Sequence, residues 1–167
     1  MRRLRFVLAV LAAPVMLSGC GLRPVYAGGG SGPVATALAD VAVAPIPGKA
    51  GYFMQGALAT RLTGGAGAKT RVEVELDDQI TGFGIRTDQA VTRERRTLRA
   101  RYRLVDATAG TVLLDATASS DAGIDVVSSE YALIAAEETA LERLSGDIAD
   151  QIVARLALYA QRTAPPK

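Results

Sequence analysis

Five arginines carry the most concentrated chemistry in this chain of 167 residues. Between Thr92 and Val105 the odd positions 93, 95, 99, 101 and 103 are all arginine, while Leu98, Ala100, Tyr102 and Leu104 are apolar. A two-residue period puts the guanidiniums in a row on one face of a strand. Planar guanidiniums at such spacing clamp carboxylates or phosphates bidentately. Cross-strand pairing is the first use for them. Thr70 to Ile80 alternates too, with Val72, Val74 and Leu76 on one face and Glu73, Glu75 and Asp77 on the other, and Asp115 lies on the strand that follows. Five cations exceed those four acids. Arg86 lies within and Arg93 just beyond the segment 82–91, which reads as a turn with Asp88 its only acid, so these two lead the candidates for an anionic ligand, with Arg95 and Arg99 behind them.

Other chemistries find few residues. The chain has no histidine, which removes Ser-His-Asp and Cys-His catalysis and every histidine-containing zinc site. Its three lysines (Lys49, Lys69, Lys167) sit in no Ser-x-x-Lys arrangement, and no glycine-rich phosphate loop is present. Asp77-Asp78 and Glu137-Glu138 read as a strand end and a wet helix face. No catalytic residue, metal site or cofactor is expected.

The one cysteine has a different role. Met1-Arg2-Arg3-Leu4-Arg5 and an apolar run from Phe6 to Leu17 lead into Leu17-Ser18-Gly19-Cys20. Basic start, short apolar stretch and small residues are the layout of a secretory signal, and the run is shorter than the roughly 20 residues that span a bilayer. Its end resembles the lipobox of bacterial lipoproteins, which implies cleavage between Gly19 and Cys20 and a covalent lipid on Cys20. Residues 1–19 hold Arg2, Arg3 and Arg5 and no acid, so their removal leaves sixteen bases against seventeen acids. The formal charge of +2 is therefore no argument for nucleic acid.

The elements that must position the arginines follow in order. Residues 20–39 read as the lipidated N-terminus and a tether, 40–162 as one α/β domain and 163–167 as a disordered tail. Val41 to Ile46 is a short strand ended by prolines, and Tyr52 to Leu62 has the spacing of an amphipathic helix. The meander of three strands comes next. Ser128-Ser129 then offers an N-cap to a helix from 129 to about 161, ~50 Å long, with an apolar stripe including Tyr131, Ile134, Leu141, Leu144, Ile148, Ile152, Leu156 and Tyr159. The order β-α-β-β-β-α predicts an α+β fold: two helices packed on one face of a four-stranded mixed sheet.

Cys20-Gly21-Leu22-Arg23-Pro24-Val25-Tyr26 resembles the start of mature LptE-family proteins, which commonly begin Cys-Gly-Phe-x-Pro-Leu-Tyr. Thr92-Arg93, Leu98…Tyr102-x-Leu104-x-Asp106…Gly110 and Ser129-x-Tyr131-Ala132 continue the likeness. The resemblance implies a non-enzymatic outer-membrane lipoprotein, lipid-anchored and facing the periplasm or inside a barrel lumen. Its implied partners are an LptD-like β-barrel and lipopolysaccharide, with no nucleic acid. An outer-membrane lipoprotein subunit of an ABC-type lipid-transport system, a structural envelope lipoprotein and a carboxylate-dependent hydrolase are the alternatives.

Overall fold

The computed structural model describes residues 32–85 and 91–163. The signal segment, Gly19, Cys20 and Arg86 lie outside them. The elements are α1 (Pro33–Ala39), β1 (Val41–Val43), α2 (Gly48–Ala59), β2 (Thr70–Ile85), β3 (Val91–Asp106), β4 (Val112–Asp125) and α3 (Glu130–Thr163). The sheet order is β1-β2-β3-β4, with β1 parallel to β2 and the other pairs antiparallel. The expected α+β architecture with a mixed sheet is therefore present, with one helix added.

That added helix is α1, inside the segment expected to be tether. Pro33 at its start has the fixed φ that suits a first helical position. Val34 and Leu38, four apart, are buried where α1 packs on α3. A seven-residue helix holds too few residues for its period to stand out from the surrounding glycine and alanine.

The core lies between the helices and one sheet face. Even-numbered Val72, Val74, Leu98, Ala100, Tyr102 and Leu104 point into it, opposite Met54 and Leu58 of α2 and Leu141, Leu144, Ile148, Ile152 and Leu156 of α3. The three- and four-residue spacing along α3 keeps its stripe on the sheet. The Ser129 hydroxyl accepts from the Ala132 N–H at 3.4 Å, the expected N-cap. The start of the stripe differs from expectation. Tyr131 is 89% exposed and Ile134 49%, and Leu133 leans inward instead. The first wholly buried position is Ala140, so the opening turns of α3 overhang the packed part of the core.

The segment expected to be a turn over 82–91 is strand at both of its described ends, 82–85 and 91. Gly82 pairs with Glu94, Phe83 with Arg93 and Ile85 with Val91, so the hairpin reaches well beyond Ile80. β4 is longer too and brings Asp125 opposite Arg93. At the other end of the sheet Asp106 organises the β3–β4 turn. Its carboxylate accepts from the N–H groups of Thr108 (2.8 Å) and Ala109 (2.7 Å), and Gly110, at φ 68°, takes the left-handed position.

These two N–H groups hold the Asp106 carboxyl below its ordinary value of 3.8. A lowered folded-state pKa adds stability that is complete above the unfolded value and fades as pH falls through the folded one. Denaturant titrations of Asp106→Asn should therefore show a shallower loss of stability below about pH 4 than wild type. An unchanged slope would mean that the turn does not sense this carboxylate.

Candidate anion-binding face and its latch

The face of the sheet away from the helices is a ladder of charge. β2 presents acids, β3 arginines and β4 acids, all at odd numbers. Arg103 reaches Glu73 and Glu75 at 3.3 Å each, and Arg101 binds Asp115 through Nη2 at 2.8 Å and Nε at 3.2 Å. The hydrogen bond from Arg101 holds the Asp115 carboxyl below its usual value. Arg93 Nε meets Asp125 Oδ1 at 2.8 Å, and Arg95 Nε lies 3.8 Å from Asp121. Arg95 also stacks over Phe83, 5.4 Å from the ring centroid. Arg99 stands opposite Asp77 but makes no ion pair among the described residues.

The candidates thus separate. Arg93 and Arg95 stand together at the distal end of the sheet, near the β2–β3 hairpin tip. Arg93 does not lie free of acids at a turn, because the longer β4 places Asp125 beside it. Arg99 lies further along the same face. Exposed pairs of this kind contribute about 0–1 kcal/mol, so a phosphate can replace the carboxylate partner at little cost.

One arginine points the other way. Arg96, at an even position, faces the helices and is 8% exposed. Its Nε and Nη2 donate to both carboxylate oxygens of Asp78, at 2.8 and 2.5 Å. Its Nη1 donates to the Glu137 carbonyl of α3 at 2.8 Å. The hydrogen bonds that Arg96 donates to Asp78 raise its pKa against the opposing cost of burial. Arg96 therefore latches the overhanging start of α3 to the sheet. Two residues along the same face, Glu94 keeps one carboxylate oxygen buried with no hydrogen-bond partner among the described residues. The signal for Arg96 is its phase: it shares the even positions of Leu98 and Ala100, and Asp78 those of Val72 and Val74.

Elsewhere, a cavity of about 650 Å³ between α2 and α3, lined in part by Tyr52, Phe53 and Thr60, holds a single carboxylate, Glu142.

Comparison with known proteins agrees with this architecture. The family model for LptE, described as lipopolysaccharide-assembly, matches residues 38–156. A lipoprotein of Caulobacter crescentus has the same fold, with a TM-score of 0.68, 23% identity, and coverage of 81% of this chain and 100% of that one. Lipoprotein B of Nitrosomonas europaea follows at a TM-score of 0.57, 15% identity, and 72% and 83% coverage. Rare lipoprotein B of Shewanella oneidensis also gives 0.57, at 8% identity with 73% and 95% coverage. No curated protein matches the chain. The family match spans most of the folded domain, including all four strands and both longer helices nearly to their ends, and on that ground the chain belongs to the LptE family of lipopolysaccharide-assembly proteins.

Proposed function

We propose that this chain is an outer-membrane lipoprotein, anchored through lipid on Cys20, that seats in an LptD-like β-barrel and offers arginines to lipopolysaccharide phosphates. Family membership supports the assembly role, and the solved structures of similar fold are themselves described as lipoproteins. The observation that carries the ligand reading is the outer sheet face. Its cations at 93 and 95 are paired with exposed carboxylates, Arg95 resting on the Phe83 ring as well, and that at 99 has no ion pair among the described residues. A polar sheet face of this kind also suits the wet lumen of a barrel. Arg86 follows directly on β2 and joins the proposed set by sequence position.

Purification of the chain from membranes in detergent tests the anchor and the partner together. The expected result is a lipid adduct on Cys20 and a co-eluting large β-barrel. An unmodified cysteine, or an ATPase complex in place of the barrel, overturns the reading. For the ligand, Arg93→Glu with Arg95→Glu should weaken lipopolysaccharide binding by about tenfold or more, since a charge-assisted hydrogen bond is worth about 1.5–3 kcal/mol. Affinity should also fall as salt rises. Arg99→Ala should lower affinity with no change in melting temperature. Binding indifferent to all three changes would make the ladder purely structural.

A further inference from the structure

The two long edges of the sheet are not equivalent. Backbone groups of β2 alternate between β3 and the outer edge, and the bonds to β1 show which residues face outward. Thr70 N–H donates to the Asp40 carbonyl at 3.4 Å, and the Val72 carbonyl accepts from Ala44 N–H at 2.9 Å. Even-numbered residues of β2 therefore turn their N–H and C=O groups to the outer edge. β1 covers this edge only as far as Val72. At Val74, Leu76, Asp78 and Ile80 no backbone partner is present among the described residues. On the opposite edge the same alternation turns the odd residues of β4 outward, and the Ser119 carbonyl there already accepts from the Gln151 side chain of α3 at 3.2 Å.

Charge separates the edges further. The acids of β4, Asp115, Asp121 and Asp125, each face an arginine of β3. On β2, among the described residues, Asp77 contacts only the Gln79 amide, at 3.2 Å, and Glu75 is exposed beyond its one ion pair, with Arg103. The outer face of an added strand would lie beside those two carboxylates. Its inner face would lie beside Leu76 and Ile80, the latter 43% exposed. Continuing the ladder of acid, base and acid requires bases next to β2. A second copy cannot supply them, because β2 and β4 both present acids.

We propose that the open edge of β2 over Val74–Ile80 takes up an extended segment of a partner protein in which basic and apolar residues alternate. Main-chain hydrogen bonds hold such a strand, and the side chains of alternate faces select it. The inference rests on backbone direction and charge and is independent of the glycolipid reading.

The probe is a ten-residue peptide alternating arginine and valine, mixed with the full mature chain and compared with its glutamate–valine counterpart. Binding of the basic peptide should slow hydrogen exchange at the amides of Val74, Leu76, Asp78 and Ile80 by tenfold or more. Those of Glu75, Asp77 and Gln79, already bonded to β3, should stay unchanged. Glu75→Lys with Asp77→Lys should transfer the preference to the acidic peptide. Ile80→Pro removes an edge N–H that the sheet does not use, so it should abolish binding while the melting temperature holds within a few degrees. Three outcomes overturn the proposal: no binding, protection on β4 instead, or equal binding of both peptides. Self-association of the chain through this edge would overturn it as well.

Discussion

Replacing Arg96 with methionine should destabilise the domain by about 3 kcal/mol, the low end of the range for breaking a buried ion pair, because Asp78 keeps partial contact with solvent. At 2–4 °C per kcal/mol for a domain of this size, the melting temperature should fall by about 6–12 °C. The loss has three parts. Asp78, whose side chain is only 23% exposed, is left without its bidentate partner. The Glu137 carbonyl loses a donor. The opening turns of α3 lose a link to the sheet that their own exposed side chains, Tyr131 and Ile134, do not replace. The change should be local as well as global: amide exchange should quicken over residues 131–139 while Leu144 to Leu156 keep their protection. Asp78→Leu combined with Arg96→Met should recover much of the loss, because replacing both charges leaves no orphan behind. A melting temperature within 2 °C of wild type, or unchanged exchange in the overhang, would show that Arg96 is not a latch.

How much of this was readable beforehand depends on how each feature is encoded. The two-residue alternation of β2 and β3 was legible because one sheet face is apolar and the other charged, and a slip of one residue would invert both. The order of elements followed from it, as did the mixed sheet. The long reach of the hairpin was not legible. Gly82, Phe83 and Gly84 carry turn-like composition, yet Gly82 and Phe83 pair with β3 in the register that propagates from the proximal part of the strands. The end of β4 was hidden for the same reason, since Ser119-Ser120-Asp121-Ala122-Gly123 has weak strand propensity and is held by its neighbour. The consequence reached the candidate site, because Asp125 arrives beside Arg93 only if β4 extends that far. The carboxylate partners of Arg101 and Arg103 were legible, as Asp115, Glu73 and Glu75 stand on the adjacent strands at odd positions. Arg96 was encoded in phase but lies within a run of arginines of the opposite parity, where composition masks position.

The second large effect lies at Gly64. Substitution by alanine should cost about 2 kcal/mol, the typical cost of forcing a methyl group into closed packing. Gly64 N–H donates to the Val41 carbonyl at 3.1 Å, so the loop after α2 runs directly against β1. A Cβ at this position would overlap the Val41 carbonyl and lie 2.6 Å from Ala42 N. These are backbone atoms, which cannot rotate aside as a side chain would. Either the loop or β1 has to move. β1 is the weaker element, a strand of only three residues paired with Thr70, Arg71 and Val72. Gly65 and Gly67 supply the control, since a Cβ on either meets nothing within 4 Å. Gly65→Ala and Gly67→Ala should therefore leave the unfolding midpoint nearly unchanged, while Gly64→Ala lowers it and speeds exchange at the Ala44 amide bonded to Val72. The antiparallel strands should keep their protection, because their ladder does not pass through β1. Equal effects at all three glycines would place the cost in loop flexibility rather than in the close approach of Gly64 to β1.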